Sequence, residues 1–167
     1  MNIRILEKSD ARLYQDLRLS ALRTSPDAFG STYEMEVKFS LETVIERMKP
    51  ASDKFVLGAF DDGGSLVGIV AFMHESGFKT AHKGNVFGMY VAPELRGHGL
   101  GKSLMLELIT NARECDGLEQ INLTVVSENE FAKRLYKSVG FETYGVERNA
   151  LKFNGQYFDE DLMVLKI

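Results

Sequence analysis

The stretch "MYVAPELRGHGLGKSLMLELI", residues 89–109, restricts what this chain can fold into more than any other segment. An extended apolar run ends at Pro93, glycines follow at 97, 99 and 101, and an amphipathic helix begins at Leu100. Glycine tolerates positive φ and lets another group approach the backbone closely. The first N–H groups of a helix have no intrahelical partner, and the helix dipole adds partial positive charge there. Strand, glycine turn and helix N-terminus together favour an anion, usually a phosphate. Arg96 and Lys102 add mobile positive charge, so the candidate cradle comprises Arg96, Gly97, His98, Gly99, Leu100, Gly101, Lys102 and Ser103.

Three phosphate motifs compete for this turn. A P-loop requires G-x-x-x-x-G-K-[ST]; "GKS" stands at 101–103, but Arg96 occupies the position of the first glycine. The dinucleotide fingerprint G-x-G-x-x-G, counted from Gly97, would place its last glycine at Lys102. The pattern R-x-x-G-x-G is fulfilled by Arg96, Gly99 and Gly101. A tight strand-to-helix turn with no ligand needs only one or two glycines.

The remaining chain reads as alternating strands and helices. "NIRIL" alternates like a strand, and Ser9 or Asp10 caps a helix with Leu13, Leu17, Ala21 and Leu22 on one stripe, stopping near Pro26. "DAFGSTYEMEVKF" is irregular, and a second helix covers about 40–48, halted by Pro50. "KFVLGAF" and "SLVGIVAFMH" flank the turn "DDGG" as a hairpin, and "KGNVFGMYV" is a further strand. Leu104, Met105, Leu108, Ile109 and Ala112 face inward from a helix spanning 100–115. After the strand "INLTVV" comes a helix from Glu130 to Val139, stopped by Gly140 with Phe141 over its last turn. Phe131 and Leu135 share a face expected in the core, and two strands near 142–150 and 157–167 finish the chain. The expected class is α/β or α+β, a layered sheet that is antiparallel early and parallel around the glycine helix.

No linker or repeat interrupts the 167 residues, so a single domain spanning 1–167 is expected. The net charge of -4 argues against a nucleic-acid partner. No apolar run is long enough to span a membrane, and "MNIRILEKSD" lacks a signal-peptide apolar region. The single Cys115 cannot form an internal disulfide, which suits the cytoplasm, and its place late in a helix suggests a structural role. His74, His82 and His98 show no ligand spacing, so no metal is expected.

Around the glycine turn, "YVAPELRGHGLGKSL" resembles the GCN5-related N-acetyltransferase (GNAT) family, whose pyrophosphate signature is [QR]-x-x-G-x-[GA]. The resemblance extends to "VVSENEFAKRLYKSVGFE" at 125–142, where Asn129 and Tyr136 occupy the family's helix-opening Asn and thioester-facing Tyr. It implies a mixed, mostly antiparallel twisted sheet of about seven strands flanked by about four helices. It also implies acetyl-CoA as co-substrate, with its pyrophosphate on the glycine turn; Asn129 is placed either to cap its helix or to donate to a pantetheine amide. A backbone N–H at a bulge placed at Met89, Tyr90 and Val91 would polarise the thioester, and Tyr136 would protonate the departing thiolate.

The implied reaction is direct attack of a primary amine on acetyl-CoA in a ternary complex. Many relatives carry a Glu on the strand before the glycine turn; here "NVFGMYV" has no carboxylate. Glu34 or Glu36, or Glu75 and His74 at the hairpin end, can act through water, although each also reads as a solvated surface residue. Phe29, Tyr33 and Glu34 are candidates for the acceptor pocket, with core packing of Phe29 and Tyr33 as the alternative. The acceptor stays open among amino acid, polyamine, antibiotic and peptide amine, as do acyl-chain preference and homodimerisation. Competing readings are a non-catalytic acyl-CoA sensor, transfer of a different acyl group or to a hydroxyl, and an interaction domain without coenzyme A.

Overall fold

The computed structural model describes residues 1–167. Seven strands form one sheet in the order β1-β2-β3-β4-β5-β7-β6. They are β1 (Asn2–Ile5), β2 (Lys54–Phe60), β3 (Leu66–His74), β4 (Lys83–Val91), β5 (Gln120–Val126), β6 (Glu142–Phe153) and β7 (Gln156–Lys166). Every neighbouring pair is antiparallel except β4 and β5, which run parallel on either side of the glycine helix. The helices are α1 (Ala11–Thr24), α2 (Tyr33–Glu36), α3 (Leu41–Met48), α4 (Leu100–Ala112) and α5 (Glu130–Ser138). The mixed, mostly antiparallel sheet expected from the sequence is therefore present.

Two apolar layers hold the helices to opposite faces of the sheet. On one face Leu104, Met105, Leu108 and Ala112 of α4 are fully buried against Leu57, Val70, Phe72, Ile121 and Met163. Burying each such Leu or Met contributes about 1.5–3 kcal/mol. On the other face Ala21 of α1 and Val44 and Met48 of α3 pack with Leu6, Val56, Ile69 and Tyr90.

Several local expectations are corrected. The segment read as irregular contains a turn of helix, α2, capped by the Thr32 hydroxyl accepting from the Met35 N–H at 3.2 Å. Asp10 precedes α1 but does not cap it with its side chain. Its carboxylate instead receives two bonds from Arg4, at 2.7 and 2.8 Å, and one from the Glu7 N–H at 2.8 Å. Leu13 is 41% exposed and Phe131 57% exposed, so neither belongs to the core. Phe131 lies on the first turn of α5 and stays exposed, whereas Leu135, one turn later, packs against the core. The last hairpin is longer than expected because Asn154 and Gly155, with φ 50° and 75°, form the Asn-Gly turn that joins long antiparallel strands. The α4 helix ends at Ala112, short of Cys115.

Candidate active site

The site begins where the parallel pair comes apart. β4 and β5 are in register only from Lys83–Asn85 to Gln120–Asn122. β5 stays bonded to β7 as far as Val126, whereas β4 continues from Val86 to Val91 with no partner on that side. A wedge therefore opens at the carboxyl ends of the two parallel strands, where ligands of parallel sheets commonly bind. Across β4, Ile69 pairs with Tyr90 but Ala71 pairs with Phe87, so Val70 alone faces Gly88 and Met89. The bulge thus sits at Gly88–Met89, earlier than the Met89–Val91 expected, because Gly88 is the residue that takes the left-handed backbone, φ 60°. Tyr90 and Val91 are already back in the ladder.

The glycine turn lies at the mouth of this wedge, at the N-terminus of α4. Gly99 is the N-cap residue with φ 83°, ψ 0°. Gly97 also has a left-handed φ of 80°, and nothing lies within 4 Å of where a Cβ would stand on either residue. Ser103 is the first N–H to bond back, to the Gly99 carbonyl at 3.0 Å, which leaves the preceding amides of the first turn without intrahelical partners. Gly101 has a different task. A Cβ there would stand 3.1 Å from Leu135 of α5 and 3.2 Å from Met89 of the bulge, so its bare Cα lets three elements converge.

Around the turn, the Arg96 Nε donates to the Val91 carbonyl at 2.9 Å, and its guanidinium lies 5.3 Å from the Tyr90 ring centre. His98 Nδ1 is 3.0 Å from the Arg96 carbonyl oxygen, and Lys102 is exposed. The Ser103 hydroxyl bonds to the Gly99 carbonyl oxygen. Leu100 turns its side chain into the core, so only its backbone faces the turn. Asn129 caps α5, its Oδ1 accepting from the Ala132 N–H at 3.1 Å.

Tyr136 is buried, with Phe141 edge-on at 6.2 Å between ring centres. Its hydroxyl has no hydrogen-bond partner within the protein, and burial pushes its pKa up to about 12. Cys115 is half-buried and its thiol is likewise pushed up by burial, which disfavours the nucleophilic thiolate. No group of three His, Cys, Asp or Glu is placed to hold a metal ion.

On the opposite face, α1 reaches the end of β4 through a 2.9 Å bond between the Thr24 and Tyr90 hydroxyls. Tyr33 accepts a 2.6 Å bond from Arg23, whose guanidinium also lies 4.2 Å above its ring. A cavity of about 310 Å³ opens here, walled by Leu22, Arg23, Pro26, Tyr33, Glu34 and, from the tip of the β6–β7 hairpin, Phe153. Phe29 lies under the Arg18 guanidinium at 4.7 Å and 6.5 Å from Tyr90, half-buried outside this wall.

The carboxylates separate sharply. Glu34 is exposed at the cavity, as expected of a surface residue. Glu36 is not solvated: it is 1% exposed and takes bonds from Arg18 at 2.9 and 3.3 Å and from Arg47 at 3.2 Å. Burial pushes its carboxyl up, but the two guanidiniums outweigh that and hold it below the usual value. A carboxylate so engaged is a poor base. His74 and Glu75 lie at the other end of β4, with His74 in register with Gly84 and Glu75 accepting from Asn85 at 3.1 Å.

Two charged residues escape the sequence reading, Arg18 and Glu160. Within "DEDL", Asp159 binds Arg148 and the Asn149 N–H, and Asp161 binds Ser127 and Lys133. Glu160 has no cationic partner. It is in register with Val126, beside the wedge, and with Glu147, and alternation places it on the face opposite Asp161 and α5. Burial pushes its carboxyl up against the opposing pull of a hydrogen bond from Thr124, and Glu147 adds to the rise. The visible signal was an acidic run inside a strand; only the register sorts its members.

Comparison with known proteins agrees with this geometry. The family model described as Acetyltransferase (GNAT) family matches residues 14–141. A mycothiol acetyltransferase of Nocardiopsis dassonvillei is 34% identical over 98 residues, 57% of this chain but 29% of the relative's length. An acetyltransferase of the GNAT family from Streptococcus pneumoniae superposes with a TM-score of 0.86 at 24% identity, covering 99% of both chains. The yncA protein of Salmonella typhimurium, solved with its cofactor acetyl-CoA, superposes with a TM-score of 0.80 at 24% identity over 99% of this chain and 93% of that one. By its family model, its parted parallel strands and its glycine-capped helix, this chain belongs to the acetyltransferase (GNAT) family.

Proposed function

We propose that the chain is an acetyl-CoA-dependent N-acetyltransferase acting on a primary amine in a ternary complex. The observation that carries this reading is the set of unpartnered amides at the Gly99-capped start of α4, opening onto the wedge between β4 and β5. The open space at Gly97 and Gly99 fits a diphosphate lying against the backbone. Family membership and the relative solved with acetyl-CoA support the same co-substrate.

In this reading the amides of residues 97–102, with Arg96 and Lys102, hold the pyrophosphate, and Asn129 orients pantetheine. Acetyl-CoA supplies the acetyl thioester. A backbone N–H at the Gly88–Met89 bulge faces the thioester oxygen as it gains charge. Tyr136 serves the departing sulfur as a hydrogen-bond donor. With its pKa near 12, full proton transfer to a thiolate of ordinary pKa about 8.5 would cost about 5 kcal/mol, so a retained, shared proton is the cheaper course. Glu160, raised in pKa and free of cations, is the proton acceptor for the incoming ammonium, in place of the engaged Glu36. The cavity around Tyr33 and Glu34 takes the body of the acceptor.

Titration calorimetry with acetyl-CoA tests the core of the proposal, and acetyl transfer to an amine panel tests the rest. Absence of heat with folded protein removes the assignment. Glu160→Gln should lower kcat/KM about 100-fold and flatten its acid limb; an unchanged pH profile assigns the proton elsewhere.

A further inference from the structure

Arg18 Nη1 is the one side-chain nitrogen or oxygen sealed from solvent that has no hydrogen-bond partner. The other end of the guanidinium is occupied: Nε and Nη2 donate to Glu36 at 2.9 and 3.3 Å. The Phe29 ring lies 4.7 Å from it, and the side chain is only 11% exposed. Glu36 and Phe29 thus fix the group while one edge is left unsatisfied. A buried donor on a charged group is costly to leave unpaired, and such groups in native folds call for a specific explanation.

That edge points at the reacting region. Nη1 lies 3.5 Å from where a Cβ on Gly88 would stand, and Gly88 is the left-handed residue of the β4 bulge. Arg18 approaches from α1, on the face opposite the glycine turn of α4. The cluster is net positive, since buried Arg18 and half-exposed Arg47 share the single carboxylate of Glu36. The strand acids of this face, Glu147 and Glu160, stand on β6 and β7, beyond β5 in the strand order, and Glu34 stands exposed at the cavity.

We propose that Arg18 Nη1 binds the carboxylate of the acceptor, so that the amine acetylated belongs to an α-amino acid or similar amino-carboxylate. The inference rests on the acetyltransferase reading above and narrows it. A guanidinium N–H to a carboxylate is a charge-assisted bond, roughly twice as strong as a neutral one. Neutralising that carboxylate also weakens the hold of the neighbouring ammonium on its proton, which favours the nucleophilic free amine. A polyamine or lysine side chain would instead bring a further cation toward a net-positive cluster. Nη1 is closed to solvent in this structure with the half-buried Phe29 ring beside the guanidinium, so a carboxylate reaches it only when a covering group moves aside.

The test needs no variant at first. Wild-type protein and acetyl-CoA are given free α-amino acids and their carboxamides, matched in side chain, together with spermidine and an Nα-blocked lysine amide. The acid should exceed its amide on the order of 10- to 100-fold in kcat/KM. Equal or better use of the amide, or turnover of only the carboxylate-free amines, overturns the Arg18 assignment while leaving the acetyltransferase reading intact. Failure to bind acetyl-CoA removes both. Arg18→Lys, and Arg18→Met paired with Glu36→Gln so that no carboxylate is stranded, should draw the acid-to-amide ratio toward one. A purely structural Arg18 would change both acceptors alike, and an unchanged ratio in a folded variant overturns the proposal.

Discussion

The two sides of the wedge are built by different means. On the α4 side, residues 96–103 form a cradle from contiguous backbone, and the glycines set its shape through local dihedrals. On the α1 side, the groups that matter are side chains joined across long sequence separations: Arg18 with Glu36, Arg47 with Glu36, Arg23 with Tyr33, Thr24 with Tyr90. A backbone site tolerates variation in neighbouring side chains but not in φ. A side-chain site tolerates backbone detail but fails when one partner of a buried pair is lost. The first suits a constant chemical group, and the second suits an acceptor that differs between relatives.

The widest separation between the two sides should come from Gly99→Glu. It forces a side chain onto φ 83° and puts negative charge where the diphosphate would lie. Acetyl-CoA affinity should fall at least about 100-fold by calorimetry, with the ion pairs of the α1 side intact. Normal affinity in a folded variant would show that the cradle lies elsewhere.

Glu36→Gln should do the reverse, lowering stability by about 3 kcal/mol at pH 7 by leaving two guanidiniums without their shared anion. Because the folded carboxyl is held below its usual value, its contribution is present above the unfolded pKa of about 4.3 and is lost as pH falls through the folded value. Urea melts should therefore separate wild type from variant at pH 7 and bring them together in strong acid. A gap that stays constant with pH would deny the ion pair this role.

Tyr136→Phe should reduce kcat about tenfold to 100-fold with little change in KM for acetyl-CoA, because the hydrogen bond matters as sulfur departs. Should steady-state kinetics give an unchanged kcat, thiolate departure is not limiting or another donor serves. The smallest effect belongs to Phe131→Ser, within about 0.5 kcal/mol on thermal unfolding, since its ring is 57% exposed. A loss of several kcal/mol would place Phe131 back in the core.

What could be read before folding follows the same division. The inward stripe of α4 from Leu104 to Ala112, the "DDGG" hairpin, the short helix halted before Pro50 and the glycine turn all arise from interactions within a few residues, and all are present. Periodicity misjudged Leu13 and Phe131, because a helical stripe says which residues share a face but not how much of that face the rest of the chain covers. The Asn154–Gly155 signal was available and would have lengthened the last hairpin. Nothing in the sequence distinguishes Glu36 from Glu34, two positions away; burial between Arg18 and Arg47 does. Glu160 is likewise separated from Asp159 and Asp161 only by strand alternation against β5 and β6.

By itself the sequence determined the parts whose physics is local: the helix and strand periods, the left-handed glycines and the amides they leave free. Tertiary structure decided where β4 and β5 part, which carboxylate is neutralised and which stands free, and that one guanidinium N–H faces the bulge unpaired. Pairing, burial and electrostatic environment depend on residues tens of positions apart, and they acquire values only once the chain has closed on itself.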